Sequence, residues 1–141
     1  MNKFITVSIL VLSCMFGQTS LGGEPYSFTH QMDDSVGLIE TGIVDQEAML
    51  IEDELRPSNT PYRYGYKFED QYNFFNHATK STIENGTEVW RLDILSRGAL
   101  AMSLEFLPFY LSDNANLYIY NDDYSVVLGA YSSLNNNDEN I

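Results

Sequence analysis

Asn85-Gly86-Thr87-Glu88-Val89-Trp90-Arg91-Leu92-Asp93-Ile94 is the stretch that decides the fold class. Asn-Gly is a hairpin-turn dipeptide, because both residues tolerate a positive φ at little cost. After it, Trp90, Leu92 and Ile94 alternate with Arg91, Asp93 and Leu95. A period of two belongs to a strand with one face buried. Downstream the alternation returns. Ser96-Arg97-Gly98 breaks the chain, and Leu100, Met102, Leu104 and Phe106 then share a face opposite Ala101, Ser103 and Glu105. Pro108 interrupts and Ser112-Asp113-Asn114 turns. Leu117-Tyr118-Ile119-Tyr120 resumes a strand, Asn121-Asp122-Asp123 makes a tight turn, and Val126 to Tyr131 forms a last strand. Upstream, Tyr62, Tyr64, Tyr66 and Phe68 alternate with Arg63, Gly65, Lys67 and Glu69, giving one aromatic and one polar face. Short strands at about ten-residue spacing, with turn residues between them, predict an all-β chain. The expected architecture is an antiparallel, jelly-roll-like β-sandwich over residues 62–134. It is incomplete, since such sandwiches use seven or eight strands and fewer are visible.

Outside that region the sequence changes character. Met1-Asn2-Lys3 is a short basic start, and Phe4 to Phe16 is an almost unbroken apolar run of 13 residues. That length is short for a membrane span and fits the apolar segment of a secretory signal peptide. Gly17, Ser20, Gly22 and Gly23 supply small residues for cleavage, so residues 1–23 are expected to be a signal peptide and the chain to be secreted or held at the cell surface. Cys14 is the sole cysteine. Val11-Leu12-Ser13-Cys14 loosely matches a lipoprotein cleavage box, which leaves lipid anchoring through Cys14 as an alternative. Cleavage near Ser20 to Gly23 instead removes the thiol, and with it any disulfide, Cys nucleophile or Cys zinc site. Residues 24–61 form an acidic arm or linker. Glu24 to Phe28 reads as a short extended piece and Asp45 to Leu55 as a turn or two of helix, stopped by Arg56-Pro57-Ser58-Asn59-Thr60-Pro61. Residues 135–141 are a polar tail.

Composition excludes several function classes. Among 141 residues, 7 Lys and Arg face 20 Asp and Glu, a net charge of −13, and loss of Lys3 with the leader makes the chain one charge more negative. Such a surface repels phosphate, so nucleic acid is not an expected partner. Anionic lipid is disfavoured by the same sign, and no stable membrane insertion is expected after cleavage. Apolar residues make up 44% of the chain, enough to build a core.

The search for chemistry returns turn-formers and surface residues. His30 and His77 are the only histidines, and no Gly-x-Ser-x-Gly, His-Glu-x-x-His or glycine-rich phosphate loop occurs. The carboxylate pairs Asp33-Asp34, Glu52-Asp53-Glu54, Asp122-Asp123 and Asp138-Glu139 are adjacent in sequence, whereas glycosidic chemistry needs acids that face one another across a cleft. No catalytic, cofactor-binding or metal-binding residue is therefore assigned, and no enzyme activity is expected. Two weaker signals stay open. Asn121-Asp122-Asp123 could offer oxygens to calcium, although turn formation accounts for it. Tyr62, Tyr64 and Tyr66 could stack on sugar rings, although aromatic strand residues more often pack on a facing sheet. Asn85-Gly86-Thr87 matches a glycosylation sequon that the turn already explains.

An ordered set of short motifs carries a family resemblance. Gly22-Gly23-Glu24-Pro25-Tyr26-Ser27-Phe28 is followed by Glu52-Asp53, Pro61-Tyr62-Arg63-Tyr64-Gly65, Val89-Trp90-Arg91-Leu92 and Ser96 to Ala99. Ser103-Leu104, Phe106, Ala115 to Asn121, Leu128 to Tyr131 and Asn135-Asn136 complete it. The set resembles the N-terminal, non-catalytic region of secreted lysyl-endopeptidase-like, trypsin-like serine proteases of Bacteroidetes-type bacteria. The resemblance implies a β-rich propeptide that assists or inhibits a protease domain, with the family's catalytic residues beyond this chain. It also implies a fragment, because the family continues past Asn135-Asn136 with a further strand-like segment. A stand-alone secreted binding module for polysaccharide or calcium is the alternative expectation.

Overall fold

The computed structural model describes residues 19–136. The apolar run Phe4 to Phe16, Cys14 and residues 137–141 lie outside that range. The chain divides into two compact units, one of residues 25–105 and one of residues 19–24 with 106–136. This division falls at different positions from the arm and sandwich boundaries read from sequence. Among the described residues the ordered elements are mostly strands, with few and short helices, and they form no closed barrel. Among the described residues no helix is long and apolar enough to cross a membrane.

In the first unit, α1 (Tyr26–Thr29), β1 (Gly37–Glu40), α2 (Gln46–Glu54), α3 (Phe74–His77), β2 (Thr79–Thr82) and β3 (Glu88–Leu95) follow in order. β2 and β3 form the hairpin that Asn85-Gly86 predicts. They are antiparallel, with Thr82 opposite Glu88 and Lys80 opposite Trp90. Gly86 takes φ +83° at the turn, and the Asn85 carboxamide oxygen accepts from the Thr87 amide at 2.9 Å. The third strand, β1, comes from the segment read as an arm. It lies parallel to β3, Gly37 opposite Leu92 and Glu40 opposite Leu95, so the sheet order is β1-β3-β2. The expectation of a purely antiparallel arrangement is thereby corrected. Ile39, within β1, Ile83, one residue past β2, and Pro25, ahead of α1, are the buried apolar residues of this unit. Phe75 and Trp90 meet edge to face at 5.0 Å and cover β3 from the side of α3.

In the second unit, β4 (Leu117–Tyr120) and β5 (Val127–Tyr131) pair antiparallel around the Asn121-Asp122-Asp123 turn and lead to a short 3-10 turn at Ser133–Asn135. Residues 20–22 run beside β5. The Leu21 amide donates to the Ala130 carbonyl at 3.0 Å, and the Ala130 amide donates back to the Gly22 carbonyl at 3.2 Å. Ala130 is buried there. Ser132 is buried too, and it is satisfied by a reciprocal capping box with Asn135.

Three local expectations are corrected. Tyr26–Thr29 is a helical turn, not an extended piece. Residues 62–68 and 100–106 form no strand despite their alternation. A period of two describes any chain whose side chains point alternately, but a strand also needs a neighbour that accepts its amides. Residues 62–68 are held through side chains instead.

Candidate functional site

The region with the densest polar chemistry is where residues 61–66 lie along α2. Asp45 caps the helix, its carboxylate accepting from the Ala48 amide at 3.0 Å. At the far end the acidic run Glu52-Asp53-Glu54 meets two of the chain's few cations. Arg63 Nη2 donates to Glu52 Oε2 at 2.8 Å, and Arg63 Nε stands 3.2 Å from Asp53 Oδ1. Arg56 Nε stands 3.4 Å from the same Oδ1, which is withdrawn from water between the two guanidinium groups. Arg56 Nη1 also donates to the Pro61 carbonyl at 2.7 Å, and its guanidinium carbon lies 5.5 Å from the centre of the Tyr62 ring. The Glu52 bond pushes the Arg63 guanidinium above its ordinary pKa. The backbone on either side of Arg63 is thus fixed to α2 by charge, without a ladder.

That fixation displays aromatic rings. Tyr64 is fully exposed at 104% and Tyr62 nearly so at 92%, while Tyr66 is 56% exposed and meets Phe68 edge to face at 5.0 Å. The expectation that these rings pack against a facing sheet is corrected: no strand forms to place them there. Two grooves share Met49 and Arg63. The smaller, of about 230 Å³, runs past Ile43, Val44 and Tyr66. The larger, of about 400 Å³, is bounded by Gln46, Leu50, Asp53, Tyr64, Gly65 and Leu100. Gln46 is itself held, its Nε2 donating to the Gly98 carbonyl at 3.1 Å.

The other candidates take local roles. His77 Nδ1 lies 2.7 Å from the Asn73 carbonyl, within the turn that ends α3, and its ring meets Tyr72 edge to face. His30 Nδ1 lies 2.9 Å from Thr29 Oγ1 and 3.3 Å from the Tyr26 carbonyl. At the β4–β5 turn, Asp123 accepts from the hydroxyl and the amide of Ser125, which holds its carboxyl below the usual carboxylate range, and Asn121 accepts from the Val126 amide at 2.8 Å. These oxygens serve the turn. Among the described residues, no group of three or more His, Cys, Asp or Glu side chains is placed to hold a metal ion.

Sequence reasoning named Tyr62, Tyr64 and Tyr66 but passed over Arg56 and Arg63, which position them. The available signal was scarcity: two of seven cations stand within eleven residues of Glu52 in a chain otherwise crowded with acids. Comparisons with protein families, with curated proteins and with solved structures return no match to this chain.

Proposed function

We propose that this chain is an exported, non-catalytic β-rich domain that acts on a neighbouring protein domain. Its role is that of the propeptide-like N-terminal region of a secreted lysyl-endopeptidase-like serine protease, either assisting the catalytic domain to fold or restraining it. The observation that carries this reading is the balance of burial. Among the described residues only Pro25, Ile39, Ile83 and Ala130 are buried apolar side chains, while 22 large apolar residues are exposed. A partner that covers part of this surface would supply burial that the two small sheets lack by themselves. β1 and β2 are the edge strands of their sheet, the position at which an extended segment adds a strand. A net charge of −13 suits a partner with a basic face and speeds the encounter with it. In this reading the leader within residues 1–23 is cut ahead of Leu21, so that Leu21 and Gly22 stay paired with Ala130, and the sandwich expected over residues 62–134 is completed by the partner.

The experiment is refolding of a matching trypsin-like catalytic domain with and without the leaderless chain. The expected result is at least a roughly tenfold change, either a higher yield of active protease or suppression of its activity by the bound chain. Equal yield and equal activity in both arms would overturn the proposal.

A further inference from the structure

We infer that the Tyr62–Tyr64 edge and the groove beside it form a binding site for a neutral glycan, a function separate from docking on a protease. The rings of Tyr62 and Tyr64 stand in water on a backbone that Arg56 and Arg63 tie to α2. An exposed tyrosine on a loose loop costs nothing to the fold and signals little. Here two ion pairs of Arg63 and the Arg56 hydrogen bond to the Pro61 carbonyl hold the segment while the rings stay outside. A fixed aromatic face offers a stacking surface at low ordering cost.

The chemistry of the adjoining groove narrows the ligand. Its volume of about 400 Å³ falls in the range of small-ligand sites. Tyr64, Leu50 and Leu100 give it apolar walls, while Gln46, Asp53 and Arg63 set polar groups among them. A wholly apolar ligand would strip water from those polar groups without replacing their hydrogen bonds. An anionic ligand meets a chain of net charge −13 whose nearby guanidinium groups are already engaged by Asp53 and Glu52. A protein interface centred here would carry charged residues at its core, where such residues are depleted. A neutral sugar satisfies each constraint. One face of a pyranose ring is a flat array of C–H groups suited to tyrosine, and its hydroxyl rim donates and accepts at the same time, so it can use the donor and acceptor positions that Gln46, Asp53 and Arg63 keep beyond their own pairings.

The test is calorimetric titration of the leaderless chain with neutral glucose hexaoses, β-1,4-, β-1,3- and α-1,4-linked, and with an oligogalacturonate of equal length. At least one neutral hexaose is expected to bind with a Kd below about 1 mM, and the oligogalacturonate at least roughly tenfold more weakly. Tyr64→Ala should weaken the neutral ligand by roughly tenfold or more, and Tyr64→Phe, which keeps the ring, should bind within about threefold of the parent. Both variants should melt within a few degrees of it, because the ring is exposed. Binding of no neutral hexaose overturns the inference. So does equal or tighter binding of the oligogalacturonate, or a Tyr64→Ala variant that binds like the parent.

Discussion

Ile39 and Gly129 show how few residues hold this chain together. Ile39 is 5% exposed in the middle of β1, one of only four buried apolar side chains among the described residues. Truncating a buried isoleucine to alanine costs about 2–5 kcal/mol, through lost transfer energy and the cavity left behind. Ile39→Ala is therefore expected to lower the urea midpoint steeply or unfold the first unit. Ile43→Ala, at an 85% exposed site four residues on, should change stability by less than about 0.5 kcal/mol. Equal effects in urea titrations would show that β1 is not packed as described. In the second unit, Gly129 holds φ +113°, a conformation L side chains rarely adopt. A Cβ there would also press on the Leu117 carbonyl oxygen across the β4–β5 pair. Gly129→Ala is expected to cost at least about 1–3 kcal/mol from the backbone alone, read as a lower midpoint in the same titration.

At the scale of elements, the question is what holds a segment that has no ladder. Arg63 bridges Glu52 and Asp53 at 2.8 and 3.2 Å, with both Arg63 and Asp53 about a quarter exposed. Exposed ion pairs contribute about 0–1 kcal/mol each, too little to move global stability far but enough to hold a loop. Arg63→Met should leave the melting temperature nearly unchanged, yet speed limited chymotrypsin cleavage at Tyr62, Tyr64 or Tyr66 by several fold, as peptide mapping would reveal. Unchanged cleavage would mean that the backbone, not Arg63, fixes the segment. The same contrast explains what the sequence could tell. The β2–β3 and β4–β5 pairs were legible because each is a local hairpin whose turn residues sit between its strands. β1 was not: Gly37-Leu38-Ile39-Glu40 is four residues long, and its partner Leu92–Leu95 lies more than fifty residues away in a parallel register. No turn signal can announce that pairing. Residues 62–68 failed in the opposite sense, because alternation was present but the neighbouring strand was not. The aromatic residues of the candidate site were visible in the sequence, whereas the arginine clamp depends on α2 and Arg63 meeting in space.

For the molecule as a whole, charge sets the response to pH and salt, and two effects of opposite sign compete. Hydrogen bonds from Ser35 hold the Asp33 carboxyl below its ordinary value, Arg97 does so for Glu40, Lys80 for Glu88 and Ser125 for Asp123. A carboxyl with a depressed folded-state pKa stabilises the fold above its unfolded value. That contribution disappears as pH falls through the folded value. Since the ordinary values are 3.8 for Asp and 4.5 for Glu, these losses begin near the ordinary values and grow at lower pH. Against them stands self-repulsion from a net charge of −13, which weakens as acids take up protons. Repulsion among that many uncompensated charges outweighs a handful of exposed pairs at neutral pH, because such pairs add little each and share the same screening. The melting temperature is accordingly expected to rise as pH falls from 7 to about 5, pass a maximum, and fall below about pH 4. Raising salt from about 20 to 500 mM at pH 7 should raise it as well, since the Debye length shrinks to a few ångströms. Glu88→Gln removes one depressed carboxyl together with its Lys80 partner contact, so its melting curve should approach that of the parent below pH 4 and differ most above pH 5. Thermal melts across that grid decide the balance: a melting temperature that drops on adding salt at pH 7 would show that the ion pairs outweigh the repulsion.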